Sequence, residues 1–196
     1  MKIIFLSLIF LAIFSIVFII LFSLSFRIGL LDIPDIRKKH KEETPLIGGI
    51  TIYLSLLFFS LILEMNSDFE YIFFASSVIL IIGIIDDFYN ISFLLRLFFQ
   101  FIACLIIIEA GYKIEDVGVY SYIISFEFGF ISSIITFLVI SGLTNAFNFI
   151  DGLDGLCASL ILSSLFSMLF FLWLNNADIE FEFLILLIVA VFFFLL

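Results

Sequence analysis

From Ile3 to Phe26 the chain runs for 24 residues without one charged side chain. Inside a bilayer no water is available to the backbone, so every N–H and C=O must be satisfied within its own segment; a helix of about 20 apolar residues does this across about 30 Å of hydrocarbon. The run is too long for the core of a secretory signal and lacks a small-x-small cleavage site, so it reads as a retained anchor. Leu46 to Leu63, Tyr71 to Ile85, Ile91 to Ile108 (with Arg96 in its first turns), Phe128 to Ile150 and Gly155 to Leu174 repeat the pattern. Phe183 to Leu196 is 14 residues, about 21 Å of helix, a partial span that stops within the bilayer. These runs predict an all-α integral membrane protein: a polytopic helical bundle with six full spans plus a partial seventh, forming one membrane domain over residues 1–196.

Composition closes the alternatives. With 65% hydrophobic and 13% charged residues, the chain is outside the range of soluble domains. Eight Lys plus Arg against 18 Asp plus Glu leave no basic surface for nucleic acid. Cys104 and Cys157 lie far apart inside apolar runs and read as small buried residues. The positive charges set the orientation, because cytoplasmic loops are enriched in Lys and Arg. Arg27, Arg37, Lys38, Lys39, Lys41 and Arg96 fall on one side; Lys2 and Lys113 fall on the other, among Glu64, Asp68, Glu70, Glu115, Asp116, Asp178, Glu180 and Glu182. The N-terminus is therefore expected outside, with the loops Arg27 to Thr44, Asp86 to Asn90 and Asp151 to Asp154 cytoplasmic and able to contribute to one site. Val117 to Ser125 has β character and reads as a small external flap.

Three blocks carry polar chemistry. Asp86-Asp87 closes the third span, at the end of a helix whose carbonyls are already partly negative, so a compensating cation is expected, either Mg²⁺ or a basic side chain. The alternative is a solvated turn with Asn90 capping the fourth span. Arg96 is costly in a span unless it meets an anion or snorkels, and it can pair with Asp87 or a phosphate. In the second block Asn145, Asn148 and Asp151 recur at spacings of three, and Asp154 continues the stripe across a Gly-containing turn. Oxygen-only ligands suit Mg²⁺; alternatively Asp154 caps the sixth helix and the asparagines bond neighbouring helices. The third block, Arg37-Lys38-Lys39-His40, precedes Thr44-Pro45, which reads as helix N-cap and first helical position. Its cations either hold phosphates of a substrate or bind anionic lipid headgroups.

Taken together, Gly29 to Pro34, Arg37 to His40, Pro45 with Gly48-Gly49, Asp86-Asp87 with Ile91-Ser92, Arg96 and Gln100, and Asn145 to Gly155 resemble the polyprenyl-phosphate N-acetylhexosamine-1-phosphate transferases of glycosyltransferase family 4. The stretch after the acidic pair has no lysine, so the branch using N-acetylglucosamine fits better than the phospho-N-acetylmuramoyl-pentapeptide branch. Asn90 stands where the family often has Asp. Family members are longer, with more spans, a later Gly-Asp-x-Gly-Ser motif and a His-rich loop; this chain matches neither, and a terminal carboxylate left in hydrocarbon is expensive. The expectation is a C-terminally truncated member, a gene fragment or frameshifted product.

The resemblance implies a multi-pass protein of the bacterial inner membrane, its site facing the cytoplasm. It implies transfer of N-acetylglucosamine-1-phosphate, or a related N-acetylhexosamine-1-phosphate, from a UDP-N-acetylhexosamine to undecaprenyl phosphate. UMP is released, and cell-envelope polysaccharide synthesis begins. Asp86, Asp87, Asp151 and Asp154 are then the catalytic and metal-holding residues, with Mg²⁺ or Mn²⁺ as cofactor. Arg37, Lys38, His40 and Arg96 hold phosphates, and Asn145 and Asn148 orient the site. Membrane lipids surround the bundle, and a homodimer is compatible with it. The rival readings are an inactive remnant of that enzyme and an ion-coupled carrier, which would place its acids near the midplane.

Overall fold

Helix α1, Lys2–Ile28, is the first long apolar run made real: 27 residues, about 40 Å of helix. It stops at Gly29, whose φ of 75° lets the N–H groups of Gly29 and Leu30 turn back onto the Ser25 carbonyl at 3.0 and 3.1 Å. Arg27 in the last turn complements the helix dipole. The structure, a computed structural model, describes residues 2–32, 43–63, 68–121, 124–150, 155–175 and 181–195. After α1 come β1 (Leu31–Asp32), β2 (Thr44–Pro45), α2 (Gly48–Leu63), α3 (Asp68–Tyr89), α4 (Phe93–Glu109), β3 (Asp116–Ser121), β4 (Ile124–Glu127), a 3₁₀ turn at Gly129–Ile131, α5 (Ser132–Ile150), α6 (Leu156–Leu174) and α7 (Phe181–Phe194).

Among the described residues, four helical stretches are long and apolar enough to cross a membrane: Ile4–Ile28, Phe69–Tyr89, Gly129–Ile150 and Leu156–Leu174. The chain is a polytopic helical membrane protein. α2 and α4 are shorter than the expected spans, while α7 has the 14 residues expected of the partial one. Thr44–Pro45 does not start a helix; it pairs as β2 with β1 in antiparallel register, Leu31 opposite Pro45 and Asp32 opposite Thr44, and Leu46 N–H reaches the Leu30 carbonyl at 3.2 Å. Those contacts use the residues that would have been the first turn, so α2 begins at Gly48 and has 16 residues. Likewise Ile91 and Ser92 belong to a turn, leaving α4 with 17 residues. The expected flap is a β3–β4 hairpin with register shifts on either side of Val119. Among the described residues, the β1–β2 ladder is the pairing that the sequence reading did not anticipate.

The chain forms two compact units, Met1–Glu64 with Ile150–Leu196, and Met65–Phe149. In the first, α1, α2 and α7 pack together and α6 packs on α7. Phe10 of α1 and Phe59 of α2 are fully buried with rings edge to face, centroids 5.5 Å apart. Lipid is as apolar as leucine, so close packing rather than water exclusion holds such helices together. Small polar residues supply that closeness: Ser25, Thr51 and Ser55 are buried, the Ser25 hydroxyl bonds the Phe22 carbonyl of its own helix, and the Thr51 hydroxyl bonds the carbonyl of Ile47 just before α2.

In the second unit α3 packs along α4, and α5 joins them through the edge-to-face pair Phe101–Phe137 at 5.4 Å. The loop leaving α4 is tied to the start of α5: Thr136 Oγ1 accepts from Ile114 N–H at 2.9 Å, and Ser132 Oγ donates to the Ile114 carbonyl at 2.6 Å. Cys104 is buried in α4, as expected; Cys157 in α6 is only half-buried.

Candidate active site

The acidic pair lies in the last turn of α3, not in a loop after it. A helix of this hydropathy ends here because Asn90 enters the left-handed region, φ 47°, while its N–H closes onto the Asp86 carbonyl at 2.8 Å. Asparagine tolerates that conformation better than other side chains with a Cβ. Asn90 therefore ends α3, and the expectation that it caps the next helix is corrected. Ser92 is the cap: its backbone is extended and its hydroxyl accepts from Leu95 N–H at 3.4 Å.

The turn swings α4 back so that Arg96 reaches Asp86, with Nη1 3.1 Å from Oδ2. Asp86 Oδ1 accepts from Ile91 N–H at 3.0 Å. Both oxygens are thus engaged. The side chains are 23% and 29% exposed, so the pair is shielded enough for its attraction to exceed that of a solvent-facing pair. Of the two compensating cations foreseen, a basic side chain serves Asp86. Arg96 was expected to meet Asp87 or a phosphate; it meets Asp86, the neighbouring position, which points about 100° away from Asp87 around the helix. Asp87 is exposed at the same helix end.

One turn along the same face of α4, Gln100 is buried and its Oε1 accepts from Asn145 Nδ2 of α5 at 3.0 Å. The same Nδ2 donates to the Ser141 carbonyl at 2.7 Å. Asn145 thus bonds a neighbouring helix, as the structural alternative had it, and Asn148 is exposed. Sequence reasoning gave Gln100 no role; a lone amide amid apolar residues was the available signal. Asp86, Arg96, Gln100 and Asn145 form a polar line across α3, α4 and α5.

Asp151, Asp154, Arg37, Lys38 and His40 lie outside the described residues. The N-cap of α6 is Gly155 at φ 73°, and the alternative that Asp154 caps this helix falls outside the described residues. Among the described residues no group of three or more His, Cys, Asp or Glu side chains comes together to hold a metal. The donors at this helix end are carboxylate and amide oxygens, which is the chemistry Mg²⁺ takes.

The model of glycosyl transferase family 4 matches residues 69–196, which include the acidic pair, Arg96, Gln100 and the Asn145 to Gly155 segment. The chain is similar to the probable undecaprenyl-phosphate N-acetylglucosaminyl 1-phosphate transferase of Bacillus subtilis (strain 168), 32% identical over 139 residues, 70% of this chain and 39% of that protein. It is 28% identical to the undecaprenyl-phosphate alpha-N-acetylglucosaminyl 1-phosphate transferase of Escherichia coli (strain K12) over 152 residues, 76% of this chain and 41% of that one. With the protein of the same name from Thermotoga maritima it shares 31% over 140 residues, 71% and 41% of the two chains. It spans about two fifths of the length of these relatives. With well over half of its residues matched, carrying the acidic pair and the asparagine segment in order, the chain belongs to glycosyl transferase family 4.

Proposed function

We propose that this chain takes part in transferring N-acetylglucosamine-1-phosphate, or a related N-acetylhexosamine-1-phosphate, from a UDP sugar to undecaprenyl phosphate at the cytoplasmic face of a bacterial inner membrane. The observation that carries the reading is the anchored acidic pair at the end of α3, in a chain whose relatives bear that enzyme's name. The lipid phosphate oxygen attacks the sugar-side phosphorus of the UDP sugar, the bond to the uridine-side phosphate breaks, and UMP leaves. Such transfer depends on positioning and charge neutralisation more than on covalent chemistry.

Asp86, Asp87, Asp151 and Asp154 are assigned to the reacting region. Asp86 acts through orientation, since both its oxygens are engaged by Arg96 and Ile91. Asp87 is assigned to activating the lipid phosphate or organising Mg²⁺, and Asp151 and Asp154 to the metal and nucleotide-diphosphate region; Mg²⁺, when bound, would neutralise the diphosphate. Arg37, Lys38 and His40 are assigned to phosphate, Asn145 and Asn148 to substrate orientation, and Arg96 to Asp86. An ion-coupled carrier is disfavoured because Asp86 and Asp87 stand in the last turn of a 22-residue helix rather than at its middle. Membranes carrying the 196-residue chain, given undecaprenyl phosphate, labelled UDP-N-acetylglucosamine and Mg²⁺, are expected to release UMP. Release equal to that of membranes lacking the chain would reject the reading and favour an inactive remnant.

A further inference from the structure

We propose that Gln100 is a positioning residue that turns the Asn145 amide so that its oxygen, not its nitrogen, faces a ligand. Ser141 fixes which way the amide lies. Its backbone carbonyl can only accept, so the Asn145 side-chain atom 2.7 Å away must be the nitrogen. The nitrogen has two protons, and Gln100 Oε1 at 3.0 Å takes the other. With both N–H donors committed, Asn145 has one function left to present, its Oδ1, an acceptor. Gln100 is 6% exposed and Ser141 also 6%, whereas Asn145 is half-buried, so the fixed amide lies between a closed interior and an accessible side. In that interior a hydrogen bond competes with little water and holds its partner firmly.

The position of Gln100 gives the bond a second consequence. Arg96 and Gln100 are four residues apart on one face of α4; the first holds Asp86 of α3, the second Asn145 of α5. One helix face therefore sets both motifs of this unit in register with each other. The acceptor on Asn145 matches ligands rich in O–H and N–H donors, such as the ribose, uracil or acetamido groups of a nucleotide sugar. This last step rests on the reading given under Proposed function.

The test uses the full chain in detergent and three variants: Gln100→Met, which keeps the shape and removes the acceptor; Gln100→Glu, which keeps an acceptor oxygen; and Asn145→Leu. UMP release gives KM for UDP-N-acetylglucosamine and kcat separately. Gln100→Met is expected to raise KM roughly tenfold, the loss of about one hydrogen bond, with kcat changed less, and Gln100→Glu to restore KM. Equal falls of kcat in both variants at unchanged KM would overturn the proposal. Thermal unfolding of the two single variants and Gln100→Met with Asn145→Leu supplies an arm that needs no activity. A double variant no less stable than the worse single supports the bond; additive losses overturn it. If the unaltered chain releases no UMP, the functional reading fails while the unfolding cycle still supports or overturns the Gln100–Asn145 bond. Should Gln100→Met not fold, Gln100→Glu decides: a retained KM supports the proposal, and a tenfold rise contradicts it.

Discussion

At Asp86 the sequence left two identities for its counter-charge, and the difference is chemical. A carboxylate in the last turn of a helix faces partly negative carbonyls, so it needs a cation there. Arg96 provides it at 3.1 Å, and the Ile91 N–H adds a hydrogen bond. Arg96→Met is expected to lower stability by roughly 1–3 kcal/mol, read by thermal unfolding in detergent, because it leaves a partly shielded carboxylate without its partner. Combined with Asp86→Asn, the loss should be less than the sum of the two. Asp87→Asn is expected to reduce UMP release by about 10²-fold while membrane insertion is unchanged; near-normal turnover would remove Asp87 from the reacting groups. That an acidic pair would sit at this helix end was legible in the sequence. Which acid faces Arg96 was not, since neighbouring positions differ only in rotation and packing against α4 decides it. The partner of Gln100 was illegible for another reason: it is 45 positions away on a different helix.

At the scale of elements, apolar runs gave the helices and short polar segments moved their ends. Asn90 at φ 47° is what stops α3. Asn90→Gly is therefore expected to leave the melting temperature nearly unchanged, whereas Asn90→Val should cost about 1–2 kcal/mol through left-handed strain, measured in the same unfolding assay. Start signals were less reliable than stop signals. Thr44-Pro45 has the residue types of a helix start, yet a strand pairing captured it, an interaction between segments that no local pattern records. The resulting start at Gly48 has its own constraint, because a Cβ there would stand 2.5 Å from the Phe194 ring of α7. Gly48→Ala is expected to lower the melting temperature, and Phe194→Ala in the same chain to recover most of the loss.

For the whole molecule, hydropathy was sufficient to read a polytopic helical membrane protein, because lipid imposes helices on any chain that crosses it. Packing between helices in lipid depends on small and polar residues rather than on apolar content, so the two compact units are not written in the hydropathy pattern. Of the candidate site, the part on α3, α4 and α5 was legible as motifs, and its connections became visible only in three dimensions. The charge asymmetry predicts that cysteines placed at Asn90 and at Lys113, at opposite ends of α4, react with impermeant thiol reagents from opposite sides of the membrane; labelling of both from one side would refute that orientation. The central claim is that the chain holds working parts of a sugar-1-phosphate transferase. The most direct test is UMP release by purified 196-residue protein from UDP-N-acetylglucosamine with undecaprenyl phosphate and Mg²⁺. Release is expected to depend on the lipid phosphate and to be lost in Asp87→Asn; release no greater than from that variant would contradict the claim.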